Sequence, residues 1–443
     1  MTELKVAAPG AGQGFAPARI IEVELTERLP SVPSGGPHHR VWVLARLHTE
    51  PIGVCEAALG DDGITPDQLA ALLWPELREP IVERFGAAGL AVPPALTSDG
   101  LRADPDTWPF LLECSKVLAN APAISVVVCT RDRPDRLSSC LKRLERQQYE
   151  HFEVVVVDNA PTSDAVRTLV EDRAGDKLQF RYQREPRIGL SWARNTGIAA
   201  ATSEIIAFLD DDDEPDEHWL TGIVSGFARN SRIGCVTGLI LPARLDTLAE
   251  ELFEKIGGHR LGRGFAEETF SRAGPQSPLF PLPPFGTGAN MAFRREVLAR
   301  IGGFDVALGA GTPAASGEDT LALTLTLLSG YEIAWEPSAL MWHHHRQDVA
   351  GLSRQLHGYS IGLTAFYAAL LRHRPGVLPA LLKLLPAAVR YLKGTSTKPG
   401  DSPDLWEGLD RRQLQGMLTG PLAYIGSVRK QKRAAASTAS RQG

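Results

Sequence analysis

Several features that would mark a protein class are scarce in this sequence. It has five cysteines, Cys55, Cys114, Cys129, Cys140 and Cys235, and no two of them form a CxxC pair. An odd, scattered set predicts neither a disulfide framework nor a cysteine zinc site, and it fits a reducing, cytoplasmic setting. No window reaches about 18 uninterrupted apolar residues, so no membrane-spanning helix is expected. The first residues, "MTELKVAAPGAGQGFAPARI", have no apolar core of signal-peptide length. The formal net charge is −5, which gives no global basic field and no expectation of a nucleic-acid partner. The remaining composition, 43% hydrophobic and 22% charged over 443 residues, is that of a globular chain with two or three domains.

The first 19 residues are rich in Gly, Ala and Pro and are expected to form a disordered leader. Three strand-like runs, "RIIEVEL", "VWVLARL" and "PIGVCEAAL", precede a helical pattern over 65–86 with Thr65 as N-cap and Pro66 at its first position. This predicts a small α+β accessory domain over 20–90, with no motif that carries chemistry. A Pro- and Ala-rich linker over 91–121 follows.

From residue 123 the pattern changes to buried strands alternating with helices. "AISVVVCT", "FEVVVVDNA", "LQFRYQRE" and "EIIAFLD" are strand runs, separated by helical stretches. That rhythm predicts an α/β domain with a mostly parallel sheet. Ligands of such open sheets sit beyond the carboxyl ends of the strands. Thr130 and Arg131, Asp158 and Asn159, and Asp210 to Asp213 all fall at that edge.

Four consecutive aspartates at the end of a buried strand need an explanation, because desolvating carboxylates is costly without a cation. A calcium loop would need Gly at its sixth position and Glu at its twelfth, where this chain has Pro215 and Thr221. A helix beginning near Glu214 would account for Glu214, Asp216 and Glu217 through the helix dipole. It would not account for the aspartates. Asp210 and Asp212 suit a hard divalent cation, manganese or magnesium, shared with phosphate oxygens.

The motifs "ISVVVCTRDRP", "VVVVDNAPTSD", "GLSWARNTGIAAA", "FLDDDDEP", "GTGANMAFRREVLARIGGFD" and "GEDTLALTLTLLSGYEIAWEPSALMWHHHR" resemble, in order and spacing, those of family 2 glycosyltransferases. The resemblance covers about 122–346. It implies a GT-A fold, with a Rossmann-like, mostly parallel sheet flanked by helices, and inverting transfer of sugar from a nucleotide diphosphate sugar with a divalent cation. Carried over residue by residue, it places Thr130, Arg131 and Asp158 at the nucleoside. Arg187, Gly189, Arg194 and Asn195 would line the nucleotide site. Asp210 and Asp212 become the ends of a DxD motif, with Asp211 and Asp213 beside the donor. Gly286 to Asn290, including Gly288, would border the sugar pocket. Asp319 matches the catalytic base, with Glu318 next to it, although Asp319 is equally suited to capping the helix it begins. His343 would be a further metal ligand, and a surface role for the three adjacent histidines remains the alternative. The segment 238–284 is expected to cover the donor or acceptor site.

Two other functions fit the same sheet. A nucleotidyltransferase would want a glycine-rich basic loop after the first strand, and "CTRDRPDRL" has no glycine. A non-catalytic sugar-nucleotide binder would not require Asp319. The acceptor class expected is a cell-envelope glycan, a lipid-linked sugar or a secondary metabolite. A helical extension over 347–426 and a basic tail over 427–443 complete the chain. Between Val349 and Gly400 there is no acid, while Arg354, Arg372, Arg374, Lys383, Arg390, Lys393 and Lys398 alternate with apolar runs. Basic, apolar helices of this kind predict peripheral attachment to an anionic inner membrane face.

Overall fold

The computed structural model describes residues 15–173, 178–260, 262–275, 277–279, 285–394 and 403–442. The leader expected over 1–19 lies outside these residues up to position 14, and Ala18 already belongs to a strand. The chain forms two compact units. The first comprises the described residues of Met1–Asn120, Leu239–Ala266 and Trp342–Val349, and the second those of Ala121–Gly238, Glu267–Met341 and Ala350–Gly443.

In the first unit, β1 (Ala18–Glu24) pairs parallel with β2 (Arg40–Leu47), which pairs antiparallel with β3 (Glu50–Ala58). Helix α1 (Pro66–Ala87) starts at a complete capping box between Thr65 and Gln68. Leu69, Leu73, Leu77, Ile81 and Phe85 recur every fourth residue along it and are buried in the core of this unit. The stretch read as a linker is not featureless. It contains α2 (Pro109–Ala119), and Trp108 at its N-cap packs edge-on against Phe85. The short apolar period of this helix was masked by its proline-rich flanks.

The second unit holds most of the strand–helix alternation. In chain order its elements are β4 (Ile124–Thr130), α3 (Pro134–Leu144), β5 (Phe152–Asn159), α4 (Ala165–Glu171), β6 (Gln179–Glu185), α5 (Leu190–Ala200), β7 (Ile205–Asp210), β8 (Asp213–Pro215) and α6 (Trp219–Ala228). Then follow β9 (Ile233–Pro242), α7 (Leu248–Lys255, in the first unit), β10 (Glu268–Phe270), β11 (Asn290–Arg294), α8 (Arg295–Ile301), α9 (Glu318–Leu328) and β12 (Glu332–His343). The last residues of β9 and β12 run into the first unit.

The nine-stranded sheet has the order β10-β12-β9-β11-β7-β4-β5-β6, with β8 paired to β12. β6, β5, β4 and β7 are mutually parallel, and β11 is antiparallel to both β7 and β9. Val126, Val127, Val128, Val154, Val155, Val156 and Val157 are fully buried, as continuous β-branched runs covered on both faces must be. The fold class is the expected one, a mixed but mostly parallel sheet with flanking helices, a small N-terminal sheet and C-terminal helices. One local expectation fails. Residues 213–215 form a strand, and α6 begins only at Trp219 with no acid in its first turn. Asp216 instead accepts from the His218 amide in a turn, so the helix dipole does not explain these acids.

Helices α10 (Val349–His373), α11 (Leu378–Gly394) and α12 (Pro403–Gln442) end the chain. Within the second unit Tyr424 of α12 donates to Asp305, and Gln431 meets Trp192 and the Val306 carbonyl. No helix among the described residues is long and apolar enough to cross a membrane.

Candidate active site

The carboxyl edge of β4, β5 and β7 collects polar groups because each apolar run ends there in polar residues, Thr130, Asp158 with Asn159, and Asp210. Two turns at this edge use non-glycine residues with positive φ, Asp132 (52°) after β4 and Ala160 (50°) after β5. Such residues cost of order 1 kcal/mol each and persist only where surrounding contacts hold them. The Asp132 carboxylate does this by accepting from both the amide and the hydroxyl of Thr162, tying the two loops together.

At the end of β5, Asp158 is fully buried. Its Oδ2 accepts from the Tyr182 hydroxyl at 3.1 Å, while its Oδ1 has no protein partner. Burial pushes this carboxyl above its usual range, against the pull of Tyr182. Next to it, Asn159 donates to the Arg187 carbonyl and accepts from the Gly189 amide, which positions the "REPRIG" turn. Arg187 lies bidentate on buried Glu185 and stacks 3.5 Å from the Trp192 ring centroid. Its side chain is still 54% exposed.

The aspartates after β7 divide into different roles. Asp211 is buried, accepting from Thr130 at 2.7 Å and from Arg133 at 3.0 Å. Asp212 faces two arginines of the β4–α3 segment, Arg133 at 3.4 Å and Arg136 at 3.1 Å. Asp213 is buried in β8. Asp210 keeps 30% of its side chain exposed and lies 3.5 Å from Arg194. Burial pushes the Asp210 carboxyl up to about 7, with Arg194 opposing and the neighbouring aspartates reinforcing the shift. The sequence reading had no cation for this run except a metal. The structure supplies three arginines, of which Arg133 and Arg136 were missed. Their signal was the "RDRPDR" string, in which Arg133 and Arg136 stand three residues apart on entering α3.

Arg194 is the centre of the site rather than part of its lining. It is 2% exposed. It donates to Glu318 Oε1 at 2.8 Å and to the Gly288 carbonyl at 2.9 Å, and approaches Asp210. Gly288 in turn donates its amide to Asp319 Oδ2 at 2.7 Å. A Cβ on Gly288 would come within 2.9 Å of the Asp319 side chain, so a glycine is required for this approach. Asp319 also accepts from the Thr320 amide and stays partly exposed, whereas Glu318 is buried. Burial, with Asp319 adding to it, pushes the Glu318 carboxyl up to about 7 despite Arg194. Its Oε2 is buried without a partner, as a protonatable carboxyl would be.

Not every predicted residue arrives here. Asn195 gives both amide groups to the Phe304 backbone, and Asn290 bridges Trp219 and the Ala339 carbonyl at 1% exposure. Both anchor loops and have no free group for a ligand. Arg131 is exposed on the β4–α3 loop. Of the segment 238–284, expected to cover the site, residues 239–266 belong to the first unit, 238 and the described residues from 267 on belong to the second, and residues 261, 276 and 280–284 lie outside those described.

Residues 125–302 match the family model "Glycosyl transferase family 2". Residues 125–302 are thus similar to glycosyl transferase family 2. Among family relatives, the glucosyl-dolichyl phosphate glucuronosyltransferase of Haloferax volcanii is 27% identical over 194 residues, covering 42% of this chain and 57% of that protein. The pre-mycofactocin glycosyltransferase of Mycobacterium tuberculosis is 27% identical over 230 residues, covering 51% of this chain and 43% of that protein. The chain thus spans about half the length of the curated relatives it matches. A solved mannosyltransferase from Pyrobaculum calidifontis, in complex with GDP-Man and Mn2+, aligns with a TM-score of 0.46 at 20% identity, covering 70% of this chain and 94% of that one.

Proposed function

We propose that the second unit transfers a glycosyl group from a nucleoside diphosphate sugar to an acceptor hydroxyl, with inversion at the anomeric carbon. The observation that carries this reading is the buried Arg194, joined to Asp210 on one side and to Glu318 and the Gly288–Asp319 pair on the other. It links donor-binding carboxylates to a candidate base in one rigid network.

In this reading Asp158 Oδ1, buried and unsatisfied, accepts an N–H or O–H from the nucleoside. Such an orphan acceptor costs about 1–3 kcal/mol until a ligand satisfies it. Arg187, exposed and held flat by Glu185 and Trp192, is placed to meet the diphosphate. The carboxylates of Asp210 and Asp212 form a hard oxygen donor set, and the raised Asp210 carboxyl marks a place where added positive charge is favourable. These residues fit a divalent cation. When bound, it would offset the charge that develops on the departing diphosphate. Asp319 takes the proton of the acceptor hydroxyl as that oxygen attacks. Its carboxylate is partly exposed and held in place by the Gly288 amide. Glu318 acts through Arg194 and fixes the network instead of meeting the acceptor.

The acceptor proposed is lipid-linked or of the cell envelope, reached from a membrane surface. Leu378, Leu382 and Leu385 of α11 are about half exposed, and Leu414, Leu418, Leu422 and Ile425 repeat along one stripe of α12. Arg429, Lys430, Lys432 and Arg433 follow that stripe directly. Apolar stripes edged with basic residues suit an anionic lipid interface. The donor reading is tested by measuring hydrolysis of UDP-, GDP- and dTDP-sugars with manganese. Hydrolysis of one of them supports it, and no turnover or binding of any would overturn it.

A further inference from the structure

One face of α12 is anchored within the second unit, although most of the helix is exposed. Tyr424 and Ser427 are buried and Gln431 is half-buried, a spacing that puts all three on one side of a helix. Tyr424 donates to Asp305 Oδ2 at 2.7 Å, and Arg372 of α10 donates to the Tyr424 hydroxyl at 3.1 Å. Two turns on, Gln431 uses both ends of its amide. Its Nε2 donates to the Val306 carbonyl at 3.2 Å, and its Oε1 accepts from Trp192 Nε1 at 3.2 Å. A carbonyl on one side and an indole N–H on the other admit only this orientation of the amide.

Trp192 belongs to the first turn of α5. The same helix holds the 304–307 turn from its own side, where Asn195 donates to the Phe304 carbonyl and accepts from the Phe304 amide. The turn is therefore tied to α5 by Asn195 and to α12 by Tyr424 and Gln431, and Gln431 joins α12 to α5 directly. What this fixes is the indole ring. Arg187 lies 3.5 Å from the Trp192 ring centroid, and its Nε and Nη2 both donate to Glu185. Glu185 holds one edge of the guanidinium and the indole covers its face, so together they set the plane. Nη1 makes no hydrogen bond among the described residues, and the side chain is 54% exposed. A guanidinium with its plane fixed and one edge open suits phosphate oxygens.

We propose that α12 completes the donor site, with Gln431 and Trp192 as positioning residues that hold Arg187 ready for the phosphates of a nucleoside diphosphate. The inference rests on the donor reading above, in which Arg187 meets the diphosphate. Neither Gln431 nor Trp192 touches the donor in this scheme. Gln431 fixes the indole, the indole fixes the guanidinium, and the guanidinium binds. The advantage is entropic. A free arginine loses much rotamer freedom when it grips a ligand, whereas Arg187 has lost it before the donor arrives. This role of α12 holds whether or not its exposed leucines meet lipid.

The test is calorimetric titration of the full-length protein with UDP and with GDP in the presence of manganese. Wild type is compared with Arg187→Ala, Trp192→Phe, Gln431→Leu and the double variant Arg187→Ala with Gln431→Leu. Trp192→Phe keeps a ring under the guanidinium and removes only the indole N–H. Arg187→Ala is expected to weaken binding by about 10- to 100-fold, and Trp192→Phe and Gln431→Leu by about 3- to 10-fold each. In the Arg187→Ala background Gln431→Leu should cost nothing further, because it acts through Arg187. A general loosening of the fold would instead weaken binding equally in both backgrounds, and that result overturns the inference. So does wild-type affinity in either Trp192→Phe or Gln431→Leu when Arg187→Ala binds weakly, with the donor reading left standing. Full affinity in Arg187→Ala, or no binding of UDP or GDP to wild type, overturns the donor role of Arg187 and this inference with it. If Gln431→Leu fails to fold, the same comparison made with Trp192→Phe in both backgrounds decides.

Discussion

Arg194 Nη1 and Glu318 Oε1 are 2.8 Å apart, although 124 residues separate them in sequence and neither side chain reaches solvent appreciably. A buried pair of this kind is weak evidence for stability, but removing one partner strands the other. Arg194→Met should therefore destabilise the apo protein by about 3–5 kcal/mol at pH 8. Urea unfolding should show a smaller loss near pH 5, where Asp210 and Glu318 take up protons. An equal loss at both pH values would mean that the carboxylates are not the groups left stranded.

Glu318 has a folded pKa of about 7, above the ordinary value of 4.5. An acid raised in this way binds its proton more tightly in the folded state. Its contribution to stability therefore falls as pH rises from about 4.5 to about 7 and is level above that. In chelator, Glu318→Gln should flatten the decline in melting temperature across this window. A variant whose pH profile parallels wild type would show that Glu318 is not the titrating group.

Asp212→Ala should abolish metal-dependent binding of a nucleoside diphosphate while the fold survives. Arg133 keeps its bond to Asp211 in the variant, so the turn retains an anchor. Calorimetric titration with and without manganese provides the measurement. Unchanged metal-dependent affinity would remove Asp212 from the ligand set.

Asp319→Asn should leave donor binding nearly intact and lower turnover by about 10² to 10⁴, the range for a lost general base. Asparagine can still accept from the Gly288 amide, so the variant separates proton transfer from helix capping. Near-normal turnover in a stable variant would leave Asp319 as a cap alone.

Full-length protein should sediment with vesicles of anionic lipid at low salt and be released at high salt. Each basic residue near such a surface contributes about 1 kcal/mol. Replacing the exposed Leu414, Leu418 and Leu422 with serine should weaken binding without unfolding the second unit. Binding unaffected by both changes would argue against an interfacial role for α12.

What the sequence determined by itself was local. Continuous valine runs required strands covered on both faces, and their alternation with helices required a mostly parallel sheet. The ends of those runs put Thr130, Asp158 and Asp210 on one edge before any coordinates were known, because a strand's polarity and its last residue are set by neighbouring residues. Helix α2 escaped notice because proline-rich flanks hid one short helical period. Only the tertiary structure decided which charges meet. Arg194 reaches Glu318 and Asp210 because the order β11-β7-β4 brings α5 and the start of α9 to the same edge. Arg133 and Arg136 reach the aspartates because α3 follows the strand beside β7. The same holds for Gln431, which meets Trp192 across 239 residues of sequence. Hydrophobic period carries no information about such pairs. They depend on sheet order and on burial, which raises the cost of any charge or polar group left without a partner.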